Sequence, residues 1–196
     1  MIWNLVLENF NYMAQISLKT LMNNSAPTYP ADVAQPFRDE LTGINFQELL
    51  TPADVDAALN KQDDKVVLVI LNSVCGCAAR SARPGTIFSL LNDVVPDQYA
   101  TVFAGMEKEA VEHFRAKYLE GLTPSSPNIA LFKNGQLLHI HERYQIEGKN
   151  AGQIAQELVS AYDKFCSKQN SSEEKENVKN YLVKTYQVDK ESLKAF

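Results

Sequence analysis

The stretch "VVLVILNSVCGCAARSARP", Val66 to Pro84, decides the fold. Val66 to Leu71 is an unbroken β-branched and aliphatic run, the pattern of a central strand covered on both faces in a mostly parallel sheet. After the two cysteines, "AARSARPGTIFSLLNDVV" has helical spacing, with Ile87, Leu90, Leu91 and Val94 on one side. Pro84 either kinks that helix or restarts it. The pair Cys75 and Cys77 therefore falls between the carboxyl end of a strand and the start of a helix. In open α/β sheets that crevice is where chemistry gathers.

Upstream, "PTYPADVAQPFRDELTGINF" predicts an amphipathic helix with Val33, Phe37 and Leu41 at four-residue spacing, ended near Gly43. "TPADVDAALNKQDDK" predicts a second short helix, with Thr51 as cap and Pro52 at its first position. Downstream, "YATVFAG" reads as a strand and "EKEAVEHFRAKYLEG" as a helix ending at Gly121. "PNIALFKNGQLLHIH" reads as two strands joined by Asn134-Gly135, a hairpin signal, and "NAGQIAQELVSAYDKFC" as a last core helix. The order β-α-β-α-β-β-α describes an α/β sandwich: a central mixed sheet flanked by helices.

The chain has 196 residues, enough for one domain with a proper core. Its net charge of -5 and pI near 5.3, with no dense Lys/Arg stripe, argue against nucleic acid or an anionic membrane surface. No window approaches the unbroken apolar length of a membrane span. Residues 1–28 read as an extension with an amphipathic helix, with Met13 or Met22 as alternative starts. They show no basic leader region, so the protein reads as cytoplasmic. Residues 29–167 form the domain. Residues 168–196 begin polar and read as a solvated C-terminal tail with a marginal helix.

Three cysteines cannot make a secreted disulfide framework, so a close pair points to redox chemistry or metal binding. A helix amino terminus presents unpaired N–H groups and partial positive charge, which stabilises a thiolate. Cys75 is therefore expected to be the nucleophile and the more exposed thiol, with Cys77 the resolving one. Arg80 and Arg83 add to the effect if they fold back toward the sulfur. On an ideal helix, residues two apart are rotated by about 200°, so a Cys75–Cys77 bridge needs non-helical backbone at the middle position. Gly76 allows that at low steric cost. The resulting ring is expected to be strained, favouring disulfide exchange over strong reduction.

Two other readings fit the same residues. The cysteines are packing in a non-enzymatic, partner-binding module, or they join His139 and His141 in a zinc site. Against zinc, only one residue separates each pair, where structural sites usually have two to four. Histidines of this kind are more often surface residues on an edge strand.

"LNSVCGCAARSARP", "TVFAG", "SSPNIALFKNG" and "AYDKFC" together resemble the bacilliredoxin family, thioredoxin-fold proteins with a Cys-Gly-Cys site. The resemblance runs from about Tyr29 to Cys166. It implies a thioredoxin-like fold that releases a low-molecular-weight thiol, bacillithiol, from mixed disulfides on S-thiolated client proteins, with disulfide isomerase activity alongside. It implies that Cys75 takes the small thiol and Cys77 releases it, with no bound cofactor beyond that co-substrate. It also implies a cis bond at Pro127, which presents the Ser126 backbone to an extended substrate. Cys166 fits the pattern either as a buried small hydrophobe or as a third thiol that resolves mixed disulfides or pairs subunits.

Overall fold

In the computed structural model, residues 26–195 are described. The reading of residues 1–25 as helical extension lies outside them. Helix α1 (Ala31–Thr42) leads into a short strand β1 (Gln47–Glu48), helix α2 (Pro52–Leu59) and strand β2 (Val66–Asn72). Thr51 and Asp54 close a capping box on α2, which leaves few amino-terminal donors unpaired. A π turn (Ala78–Ala82) runs into α3 (Arg83–Ser89), with Pro84 in the first turn of α3. Then follow β3 (Val94–Val95), β4 (Gln98–Phe103), α4 (Lys108–Tyr118), the hairpin β5 (Asn128–Lys133) and β6 (Gln136–His141), and α5 (Arg143–Ile146). Helix α6 (Ala151–Phe165), β7 (Lys168–Gln169), α7 (Ser172–Tyr186) and a 3-10 turn (Lys190–Ala195) complete the chain.

The five-stranded sheet has the order β1-β4-β2-β5-β6. Strands β1 and β2 run parallel to β4, while β5 is antiparallel to β2 and β6 antiparallel to β5. This is a thioredoxin-like fold, α/β with a mixed central sheet between helices. Strand β2 lies at its centre, and its alternation explains its composition. Val66, Leu68 and Ile70 join the core under α3, α6 and α7, while Val67, Val69 and Leu71 join the core under α2 and α4. With both faces dry, no polar position is tolerated until Asn72. The Asn134-Gly135 turn has positive φ at both residues, 52° and 79°, the geometry a two-residue hairpin loop requires.

Several expectations change. On α1 it is Ala34 and Leu41 that face the core, while Val33 is 47% exposed. Val94 leaves the helical face and pairs in β3 with Gln169 of β7. Strand β1 carries no sequence signal, being two residues held by pairing with Ala100 and Thr101.

The largest correction concerns residues 168–196. They are no solvated tail. Helix α7 has a complete Ser171–Glu174 capping box, and Val178, Leu182 and the later Leu193 are buried in the first core cluster. Asn170 donates its side-chain amide to the carbonyls of Leu90 and Asn92 at 2.7 and 2.9 Å. Tyr181 donates its hydroxyl to the Asp39 carbonyl at 2.9 Å. A Cβ at Gly43 would lie 2.6 Å from that hydroxyl, so Gly43 serves the docking of α7 more than the ending of α1.

Candidate active site

At the carboxyl end of β2 the chain turns at Ser73 and Val74 and enters a helix. The Ala79 N–H donates to the Cys75 carbonyl at 3.1 Å, which makes Cys75 the residue that caps the helix. Its sulfur then stands where a capping oxygen would, and the backbone N–H groups of Ala78 and Cys77 favour its charged form. This brings together two cysteines two residues apart. Cys77 is helical, with φ -69° and ψ -33°, but Cys75 stands just outside the helix and its side chain folds back over the first turn. The two sulfurs come to 2.8 Å with the intervening backbone already wound. Non-helical backbone at Gly76 is not needed for their approach. Ala78–Ala82 follows as a π turn, with the Arg83 N–H donating to the Ala78 carbonyl.

Cys75 and Cys77 are both half-buried, so exposure does not single out the nucleophile. Hydrogen bonding does. Burial alone pushes the Cys75 thiol up, but the Cys77 thiol, the Ser73 hydroxyl at 3.1 Å and the two backbone N–H groups hold it below its ordinary value. Cys77 moves the opposite way: burial, its hydrogen bond to Cys75 and the charge on Cys75 raise it, against the nearby Arg143 guanidinium. The pair is thus unequal, with Cys75 the easier to ionise and Cys77 the harder.

Arg83 does not reach the sulfur. Its side chain is fully buried behind the loop, where Nη1 donates to the Ser73 carbonyl at 2.9 Å and to Asn72 Oδ1 at 3.0 Å. Nε donates to Glu40 at 2.9 Å, and the guanidinium stacks on Phe37 at 4.8 Å. It shapes the loop from below rather than charging it from the front. Arg80 lines a cleft of about 600 Å³ with Cys75, Cys77, Arg143, Lys149 and Gln153.

On the other side of Cys75 a second cleft, of about 260 Å³, is lined by Ser73, Val74, Ala104, Ser126 and Arg143. The Ser126–Pro127 peptide is cis, and Ser126 lines the wall beside Cys75. Arg143 borders both clefts and no local pattern announces it. It arrives through topology, because β6 ends beside the start of β5, where the Arg143 N–H donates to Asn128 Oδ1 at 3.2 Å.

Cys166 is elsewhere. It caps the carboxyl end of α6, while Asn150 and Gln153 at the other end of that helix line the Cys75 cleft. At 1.5 Å per residue the separation is about 20 Å. Burial, with the charges of Asp97 and Asp163, pushes its thiol up to about 12. At that distance Cys166 does not reach a mixed disulfide on Cys75 of the same molecule, and its side chain packs against the core.

The histidines are also placed otherwise than expected. His141 is only 5% exposed, and it bonds Glu157 at 2.8 Å and His139 at 3.1 Å. Among the described residues no three His, Cys, Asp or Glu side chains are gathered as metal ligands, so these histidines do not complete a set with Cys75 and Cys77. No helix among the described residues is long and apolar enough to cross a membrane.

A family model described as disulphide isomerase matches residues 29–166. A bacilliredoxin of Salinibacter ruber (strain DSM 13855 / M31) is 48% identical over 139 residues, covering 70% of this chain and 81% of that protein. A bacilliredoxin of Staphylococcus aureus (strain NCTC 8325 / PS 47) is 40% identical over 145 residues, covering 74% of this chain and 98% of the relative. Among solved structures, a thioredoxin of Malassezia sympodialis is 18% identical with a TM-score of 0.40, covering 60% of this chain and 90% of that one.

Proposed function

On the premise that the chain belongs to the bacilliredoxin family, we propose that this disulfide oxidoreductase removes bacillithiol from mixed disulfides on client proteins. The Cys75 thiolate attacks the small thiol's sulfur. The new bond joins Cys75 to the small thiol, the client's sulfur leaves as a thiolate, and that thiolate takes a proton from water. Cys77 then loses its proton and attacks the Cys75 sulfur, forming the Cys75–Cys77 disulfide and expelling the small thiol. Two further molecules of reduced small thiol return the pair to its reduced state and are themselves joined as a disulfide. The same exchange steps, run on a protein disulfide, amount to isomerisation. Clients of this kind belong to a reducing compartment, and the cytoplasm suits the reaction.

The observation that carries the reading is the asymmetry of the two thiols, with Cys75 lowered, Cys77 raised and the sulfurs 2.8 Å apart. The two clefts suit the two halves of the substrate. The smaller, beside Ser126 and the cis-Pro127, takes the extended client backbone strand-fashion. The larger, with Arg80, Arg143 and Lys149 on its walls, suits a thiol bearing carboxylates.

The test offers the reduced protein a model client carrying bacillithiol, glutathione or coenzyme A in turn, with Cys77→Ser to trap the intermediate. A bacillithiol adduct mapped to Cys75 by mass, formed faster than the other two, is the expected result. Adducts on Cys77 or Cys166, or none, overturn it.

A further inference from the structure

We propose that Tyr186, on a helix outside the family segment, is a positioning residue for the Cys75 thiol, acting through Glu40, Arg83 and Ser73. The proposal rests on Cys75 being the attacking thiol, but not on which small thiol it takes.

Every link is a direct contact between neighbouring groups. The Tyr186 hydroxyl donates to Glu40 Oε2 at 2.6 Å. The same oxygen accepts from Arg83 Nε at 2.9 Å. Arg83 Nη1 donates to the Ser73 carbonyl at 2.9 Å and to Asn72 Oδ1 at 3.0 Å, and that Oδ1 also accepts the Ser73 N–H at 2.8 Å. The Ser73 backbone is thereby held at both its N–H and its carbonyl. Its hydroxyl then stands 3.1 Å from the Cys75 sulfur.

Burial makes the chain of contacts stiff. Arg83 is 0% exposed and its Nη2 has no hydrogen-bond partner, so the guanidinium is aimed by Glu40 and the loop, with Phe37 beneath it. A buried guanidinium turns as a rigid plane, so moving Nε moves Nη1 with it. Glu40 in turn has two donors on one oxygen, and one of them is Tyr186.

The tyrosine belongs to α7, beyond the 29–166 segment that the family model spans. The match to the Staphylococcus aureus relative uses 98% of that protein and only 74% of this chain. Almost no chain is left in that relative to supply a matching helix. Set against that relative, this chain ties an additional segment to the catalytic loop.

Tyr186→Phe removes one oxygen and keeps the ring, so packing is retained. The readout is the alkylation rate of Cys75 against pH, followed by mass at the Cys75 peptide. Besides Cys77 and Ser73, the titratable and charged groups facing that sulfur across its clefts are Tyr29, Arg80, Arg143, Glu147 and Lys149, none of which the variant touches. Loosening Ser73 withdraws a donor from the thiolate. The expected result is a rate about threefold lower at neutral pH, with the high-pH plateau unchanged. In a Ser73→Ala background the same substitution should add nothing. Asn170→Ala, which frees the start of the same segment from Leu90 and Asn92, should lower the melting temperature without moving the profile.

An unmoved profile in Tyr186→Phe, or an equal shift in Asn170→Ala, overturns the proposal while leaving Cys75 as the nucleophile. A wild-type Cys75 with an ordinary profile removes the nucleophile itself.

Discussion

The hydroxyl of Ser73 stands 3.1 Å from the sulfur of Cys75, a side-chain donor beside the backbone N–H groups that also lower that thiol. The thiolate is thus solvated by several protein donors in place of water. Ser73→Ala removes one donor without disturbing the cap. A single hydrogen bond typically contributes about 1 kcal/mol net, or about a fivefold change in thiolate fraction at neutral pH. Alkylation of Cys75 at pH 7 should slow by about that factor and recover at pH 10, where both forms are ionised.

Leu182 is fully buried although it belongs to a segment whose sequence reads as solvated. Truncation to alanine in a packed core typically costs about 2–5 kcal/mol. Leu182→Ala should lower the denaturant midpoint accordingly, with the unfolding slope unchanged. A cost below about 0.5 kcal/mol, the ordinary effect of a surface substitution, would mean that α7 does not dock.

Glu174 closes the cap of α7. Its carboxylate accepts from Lys168 at 2.8 Å and from the Ser171 N–H at 2.9 Å, which lowers it to about 2. A carboxyl depressed in the folded state contributes stability that is fully present above its unfolded value and is lost as pH falls through the folded one. The window therefore runs from about pH 4.5 down to about pH 2. Melting temperature in this window should fall less steeply for Glu174→Gln than for the wild type, and the two should run parallel above pH 6.

What was legible in the sequence and what was not follow one physical line. Strand β2 announces itself because both its faces are dry, and the Asn134-Gly135 hairpin because positive φ restricts residue choice. The catalytic loop is legible for the same reason: a strand, a glycine between cysteines and a helix start are all local. Strand β1 is invisible because two residues paired to β4 need no composition of their own. Arg143 is invisible because only the path of β6 brings it to the clefts. His141 was misplaced because its burial is caused by Glu157 and α6, which the strand's own pattern does not contain. In α7, Val178 and Leu182 are spaced four apart, and that modest signal was outweighed by the charged residues around them.

The most direct test of the central claim is the alkylation of Cys75 and Cys77 across pH, each followed at its own peptide. Cys75 should react first, with a midpoint below the unperturbed value of about 8.5, and Cys77 only at a midpoint above it. A Cys75 midpoint at or above 8.5, or Cys77 reacting first, would contradict the account.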